Sequence, residues 1–416
     1  MTEETRLSLP TLPPFKTVGW VIAAFFALGL LVYGASLTNE FVRWDDGLLI
    51  TENPIVWRIT PRNVAAMFST YDPELYIPLT FVSYAVDYSL GGGSPVMFHL
   101  QSLAWHIGNA LLVAWLFLLL LKDRKVALAC GLLFLLHPLH TEAVAWASGR
   151  KDVLSAFFCM LSIILYLYHR ERGGKWTYLW SLALFVCALL SKVIVITLPV
   201  LLLLLDFSLS RPINRRMFVD KIPYVALSVL FGIVAIFGKS TVIAKSSLLE
   251  KILMAAKSTV FYVEKMAWPT NLSVLYPYVG KISLSEPAFF VPMMILVSLL
   301  ALVIFAGLKR ALKMNRVPQA GMPRVPQAGM PALSVGFLFF LITIAPTFVN
   351  FAKGDLDIYF ASDRYAYLGS IGLLFILGAF LVWLSEKQGR SRTYERSFAA
   401  AGAVVLLLFA LLSYRQ

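Results

Sequence analysis

Two adjacent carboxylates, Asp45 and Asp46, lie behind Trp44 and before Gly47 in the stretch Asn39 to Pro54, directly after the first long apolar run. Paired acids at the mouth of an apolar segment are costly to keep beside a membrane, so they call for a reason. The chemistry they suit is general-base catalysis, in which one carboxylate takes a proton from a nucleophile. The bland alternative is a helix cap or an ion pair with Arg43. Four cations elsewhere complement the acids. Arg150 and Lys151 are adjacent, Lys192 interrupts two apolar runs in Leu-Leu-Ser-Lys-Val-Ile, and Arg364 follows Asp363 where another apolar run opens. Arginine grips a phosphate in a planar, two-point way and lysine adds a mobile charge, so these four are the candidate ligands of a leaving phosphate. Without such a ligand, Arg150 and Lys151 would be an interfacial pair with their heads in the headgroup layer.

A second polar stretch, His137 to Asp152, contains His137, His140, Glu142 and Asp152 between apolar runs. Two imidazoles three residues apart share a helix face, and with Glu142 they could hold a metal, although Pro138 breaks the regular helix and the spacing is no known zinc signature. The alternative is a hydrogen-bonded lining. Together with Trp44, His99, His106, Asp363 and Tyr365, these residues are expected to line the cavity around the acid pair. Asp355 and Asp357 precede Asp363 on the same expected side.

The elements that must position these groups are membrane helices. Of the 416 residues, 59% are apolar, and the mean hydropathy is +0.76. A bilayer crossing takes about 20 apolar residues, and no stretch shows the alternation of a barrel strand. The fold expected is an all-α polytopic membrane protein with about eleven crossings, at 17–37, 97–121, 126–137, 153–169, 176–190, 193–209, 222–238, 288–308, 332–350, 364–385 and 397–413. The first is too long for a cleaved signal core and reads as a retained anchor. The chain is one integral membrane domain over 1–416.

With the N-terminus in the cytoplasm, most of the 36 Lys and Arg fall in the inner segments, as the positive-inside rule requires. The net charge of +13 therefore belongs to topology and not to nucleic-acid binding. The three cysteines, Cys130, Cys159 and Cys187, sit in apolar runs and read as core residues. Residues 38–96 form the first and longest outer loop. In it, Thr60-Pro61 announces a helix start, and Tyr76 to Leu90, ended by three glycines, a second interfacial helix. Residues 239–287 form another outer loop, with 248–268 as an interfacial helix; if 248–268 crossed the membrane, the orientation of everything after it would invert. The inner segment 309–331 carries an exact tandem copy, Arg-Val-Pro-Gln-Ala-Gly-Met-Pro, and reads as a flexible linker. In this topology the acid pair, Arg150, Lys151, Lys192 and Arg364 all reach the outer face.

Several segments in consistent order, over about residues 20 to 385, resemble one known family. They are Phe41-Val-Arg-Trp-Asp-Asp, Glu52-Asn-Pro, Tyr76-Ile-Pro-Leu-Thr, Phe98-His-Leu with His106 and Asn109, His137-Pro-Leu-His-Thr-Glu-Ala-Val-Ala-Trp, Gly149-Arg-Lys-Asp-Val-Leu-Ser, Leu190-Ser-Lys and Asp363-Arg-Tyr-Ala-Tyr-Leu. Together they resemble the membrane part of TMTC-type glycosyltransferases, which share the GT-C fold with protein O-mannosyltransferases. The resemblance implies a GT-C bundle and a polyprenyl-phosphate-linked sugar donor. It further implies inverting transfer to an acceptor hydroxyl of a protein or glycan on the outer face, with an acid of the first outer loop, Asp45 or Asp46, as base.

No cofactor beyond the lipid-linked donor is implied, with a divalent metal left open. The expected setting is a bacterial inner membrane, or the endoplasmic reticulum in a eukaryote. Relatives often carry tetratricopeptide repeats after the last span, whereas this chain ends at Gln416, so an acceptor-binding module is expected to be missing or separate. Family members often have Glu after Ser191-Lys192, where this chain has Val193. The competing classes are a lipid-linked sugar transporter, which would place ionisable groups at mid-membrane, and a non-catalytic membrane subunit.

Overall fold

The structure is a computed structural model that describes residues 14–71, 75–209, 211, 213–239, 247–314, 330–350, 359–387 and 392–416. Sixteen α-helices are present among them. The first is α1 (Phe15–Tyr33); α2 (Pro61–Ser69) and α3 (Pro78–Gly91) follow in the first long loop. Then come α4 (Pro95–Leu121), α5 (Arg124–Leu136), the short α6 (Thr141–Ala145), α7 (Arg150–Arg172), α8 (Lys175–Ser191) and α9 (Leu198–Ser208). The rest are α10 (Arg215–Val219), α11 (Ile222–Lys239), α12 (Leu248–Ala267), α13 (Pro287–Met314), α14 (Met330–Ile344), α15 (Ser370–Lys387) and α16 (Arg392–Tyr414). Two short antiparallel strands, β1 (Tyr276–Pro277) and β2 (Tyr359–Ala361), pair with each other.

The protein is a helical, polytopic integral membrane protein. Each of the eleven expected segments overlaps a helix, although not all of these helices are long enough to cross a membrane. Length and composition qualify six helices, and a seventh if the bent pair α5–α6 counts as one; α8, α9, α14 and α16 supply shorter apolar stretches. Helix α12, with five charged residues, does not qualify. Several boundaries differ from expectation. Helix α7 begins at Arg150, so the Arg-Lys-Asp triplet forms its first turn, where the helix dipole favours Asp152. Before α9, Val193–Thr197 winds as a 3-10 helix, and α15 starts only at Ser370, after a 3-10 turn over Asp363–Ala366. The expected linker at 309–331 is helical at both ends, since α13 runs to Met314 and α14 starts at Met330. The repeat residues 316–329, Asp355 and Asp357 lie outside the described residues.

The first long loop is a packed unit. Thr60 Oγ1 accepts the Asn63 amide at 3.1 Å to open α2, and Gly92, at φ +61°, closes α3 in the left-handed conformation. Leu49, Ile50, Val56, Met67, Ile77, Phe81 and Tyr84 form a small core with Phe98 and Ala147. The acids are therefore mounted on a hydrophobic platform attached to α4.

The break between α5 and α6 positions the other half of the site. Pro138 cannot continue α5, and the chain turns by 53°. The break frees the last carbonyls of α5, and side chains take them up. His140 Nδ1 reaches Phe134 O at 2.8 Å, His106 Nε2 reaches Leu135 O at 3.0 Å, and Ser413 Oγ on α16 donates to Leu136 O at 2.9 Å. With Nε2 donating to a carbonyl, His106 Nδ1 accepts from Tyr367 Oη at 2.7 Å, and that hydroxyl in turn accepts from Asn109 Nδ2 at 2.9 Å. His137 accepts the Leu139 amide on Nδ1 and contacts Met266 O through Nε2 at 3.0 Å.

After α6 the chain makes a 3-10 turn at Ala147–Gly149. A Cβ on Gly149 would fall 2.8 Å from Ala143 O and 3.0 Å from Glu142 O, both backbone atoms of α6. Gly149→Ala should therefore destabilise the protein by about 1–3 kcal/mol. A fall in thermal stability of the purified protein in detergent is expected, and an unchanged midpoint would contradict the close packing of this turn on α6.

Candidate functional site

The acid pair is split by its surroundings. Asp46 has no exposure: its Oδ1 accepts from the Ser148 amide at 2.9 Å and from the Ser148 hydroxyl, and its Oδ2 accepts the Val42 amide at 2.9 Å. With both oxygens engaged, Asp46 fastens the first loop to the Ala147–Gly149 turn. Asp45 is different. Its side chain is 34% exposed, and its Oδ2 lies 2.9 Å from Lys151 Nζ. Burial by itself would raise the Asp45 carboxyl, but Lys151, with Arg364 and Lys192 in range, outweighs this and holds it below the ordinary carboxylate range.

Around Asp45, three cations alternate with three acids. Lys192 Nζ lies 2.5 Å from Asp152 Oδ1, and Arg364 binds Glu142 through its Nη1 at 2.7 Å and its backbone amide at 2.8 Å. Trp146 sits among them, its ring 4.8 Å from the Arg364 guanidinium and 5.7 Å from Lys151 Nζ, and Trp44, half exposed, is 6.3 Å away. Lys192 lies 5.6 Å over the Tyr365 ring, whose hydroxyl is 3.3 Å from that of Tyr359. Lys192 stands where α8 ends. Burial, opposed by Asp152 and reinforced by Arg364 and Lys151, pulls its ammonium down to about 8.

The structure thus brings together Trp44, Asp45, Glu142, Lys151, Asp152, Lys192, Arg364 and Tyr365. It moves the remaining candidates elsewhere. Arg150 is fully buried and spends its guanidinium on Asp87, Ser102, Gln101 and the Phe98 carbonyl, between the Tyr84 and Phe98 rings. It clamps α3 to α4 and α7, with each of its three nitrogens already bonded to protein and none exposed, which corrects its expected role. His106, His137 and His140 correct likewise: they serve the broken helix inside the bundle instead of lining a cavity. His99 is buried, 2% exposed, on α4. Asp363 accepts from the Ser273 amide at 2.8 Å and Tyr276 Oη at 3.0 Å, so it ties down the loop before β1; burial and then Glu142 push its carboxyl up to about 7. Among the described residues no three His, Cys, Asp or Glu side chains converge as metal ligands, and His137, His140 and Glu142 each bond to protein groups instead.

Sequence reasoning did not single out Trp146, Ser148, Tyr359 or Asp87 as site or supporting residues. For two of them the sequence held a signal: Trp146 closes the motif that begins at His137, and Asp87 is a lone acid in an apolar helix.

Comparison with known proteins now bears on this arrangement. No family model matches the chain. It is 30% identical over 186 residues to the human protein O-mannosyl-transferase TMTC4, covering 39% of this chain and 24% of the relative. It is 35% identical over 203 residues to Drosophila melanogaster Tmtc1, covering 47% and 23%. The chain is similar to the TMTC-type protein O-mannosyl-transferases. The matched stretch spans about a quarter or less of the length of these curated relatives. Among solved structures, ArnT from Cupriavidus metallidurans bound to undecaprenyl phosphate aligns over 90% of this chain and 78% of that one, with 15% identity and a TM-score of 0.39. That likeness is too low to assign a fold.

Two substitutions separate the roles of the acids. Asp46→Asn should lower stability by about 1–3 kcal/mol, because it leaves a buried Ser148 donor poorly matched. Asp45→Asn should change stability by less than about 1 kcal/mol, as for a partly exposed ion pair. Thermal unfolding of both variants reads this, and equal losses would refute the division. Arg150→Ala, which strands Asp87 in the interior, should cost about 3–5 kcal/mol.

Proposed function

We propose that the protein is a GT-C-type glycosyltransferase that moves a sugar from a polyprenyl-phosphate donor to an acceptor hydroxyl on the outer face of the membrane. The observation that carries this reading is the position of Asp45: a partly exposed carboxylate 2.9 Å from Lys151, with Lys192 and Arg364 in charge range. The similarity to O-mannosyl-transferases supports the transfer chemistry and suggests a hexosyl donor.

In this mechanism Asp45 removes the acceptor hydroxyl proton as the oxygen attacks the anomeric carbon. The bond from that carbon to the phosphate oxygen breaks, and polyprenyl phosphate departs with the bonding pair, inverting the anomeric centre. The leaving phosphate is already ionised and needs no general acid. Lys151, Lys192 and Arg364 stabilise its charge electrostatically. Glu142 and Asp152 hold Arg364 and Lys192 in place before the donor arrives.

The Asp45–Lys151 pair has a consequence for the order of events. While Lys151 faces Asp45 alone, the carboxylate is a weak base. A donor phosphate that draws Lys151 toward itself raises the basicity of Asp45, so the base becomes competent when the donor is bound.

The test is transfer of radiolabelled sugar from a panel of polyprenyl-phosphate sugars in membranes containing the chain. Asp45→Asn should lower transfer by ~10²–10⁴-fold with the protein still folded; transfer at the wild-type rate would remove Asp45 from the chemistry. For any donor that is used, kcat/KM should fall as pH rises through about 8, because Lys192 loses its charge there. Lys192→Arg keeps the charge at high pH and should move that limb upward. A limb that stays in place would show that Lys192 does not set it.

A further inference from the structure

Three polar atoms in the charged cluster are sealed from solvent and have no hydrogen-bond partner: Trp146 Nε1, Arg364 Nε and Asp152 Oδ2. The Trp146 ring packs on the Arg364 guanidinium, and the Asp152 carboxylate lies within charge range of Arg364. The Arg364 guanidinium lies 4.8 Å from the centre of the Trp146 ring, and Lys151, which precedes Asp152, lies 5.7 Å from the same ring. Trp146 is 8% exposed and Asp152 5%. The other atoms of these groups are committed, since Asp152 Oδ1 holds Lys192 and Arg364 Nη1 holds Glu142. Buried donors and acceptors normally find partners, and unpaired ones carry their full desolvation penalty, so a group of them in one place calls for an explanation.

The set comprises two N–H donors and one carboxylate acceptor. A purely anionic ligand would satisfy the donors but meet repulsion at Asp152 Oδ2, and a cation would meet Arg364. A hydroxyl both accepts and donates, so a ring bearing hydroxyls satisfies all three atoms. The local charge agrees: Asp45, Glu142 and Asp152 balance Lys151, Lys192 and Arg364 in formal charge. A neutral polyol therefore adds no uncompensated charge beside the phosphate.

We infer that Trp146, Arg364 and Asp152 form a hydroxyl-recognition subsite that holds the neutral sugar ring of a lipid-phosphate donor. The inference rests on the donor reading above and adds to it that the protein distinguishes a sugar-bearing lipid phosphate from the bare one. Trp146 is the specificity-determining residue most cleanly tested, because Trp146→Phe keeps an aromatic ring between the cations and removes the N–H.

The experiment measures, by calorimetry on the full chain in nanodiscs, the affinity for polyprenyl phosphate and for the same lipid carrying one neutral hexose. The wild type should bind the hexose-bearing lipid about tenfold more tightly, the worth of one or two net hydrogen bonds. Trp146→Phe should lose most of that preference while binding bare polyprenyl phosphate within about twofold of wild type, which also shows that the variant is folded. Asp152→Asn, which can keep an oxygen toward Lys192 but replaces the free acceptor with a donor, should lose the preference as well. A preference unchanged in both variants overturns the subsite. So does equal wild-type affinity for the two lipids, as expected if ordered water fills the three positions. Binding of neither lipid overturns the subsite together with the donor reading, whereas binding of bare lipid without preference leaves the donor reading standing.

Discussion

The arrangement of the site depends on the interruption of one apolar helix at His137-Pro138. Inside a bilayer a helix end must have its carbonyls satisfied by protein, because no solvent can do it. Here the carbonyls of Phe134, Leu135 and Leu136 are met by His140, His106 and Ser413, donors from the turn itself, from α4 and from α16. With the break supported in this way, the chain can turn through α6 and the Ala147–Gly149 turn and start α7 with Arg150, Lys151 and Asp152. Arg150 and Lys151 are thus placed in the first turn of α7.

Asp46 joins this turn to the first long loop. Its three hydrogen bonds to Ser148 and Val42 bring two segments about a hundred residues apart into register, and the ion pair between Asp45 and Lys151 follows from that register. The acid pair divides its labour by environment. The buried carboxylate is structural because both of its oxygens accept hydrogen bonds from protein, and the partly exposed one keeps an edge open. Arg150 and Lys151 repeat the pattern, with Arg150 locked on Asp87 while Lys151 faces the cluster.

The cluster is assembled from alternating charges, which lets a largely buried site hold three cations without a large net field. Each cation has one acid partner, so the desolvation penalty of burial is offset in the resting state. Lys192 remains the least comfortable, as its lowered ammonium shows. In the proposed reaction an entering phosphate would exchange one set of anionic partners for another, and Asp45 would gain basicity in that exchange.

How much of this was legible in the sequence follows from the physics of each signal. Apolar runs of bilayer length determined the helical, membrane-spanning class, because a crossing needs a continuous apolar stretch whatever the fold. Thr60-Pro61 and the glycines after Leu90 determined the loop helices, since caps and left-handed turns are local. The residue types Asp45, Lys151, Lys192 and Arg364 marked a charged face, and their motifs carried the family resemblance. What the sequence could not decide was which member of each adjacent pair acts. Asp45 and Asp46, like Arg150 and Lys151, are chemically equivalent neighbours, and their roles depend on Ser148, Val42 and Asp87, partners that come close only when distant helices pack. The histidines misled for the same reason. Their spacing resembled a ligand set, but the carbonyls they bind become available only where tertiary structure supports the broken helix.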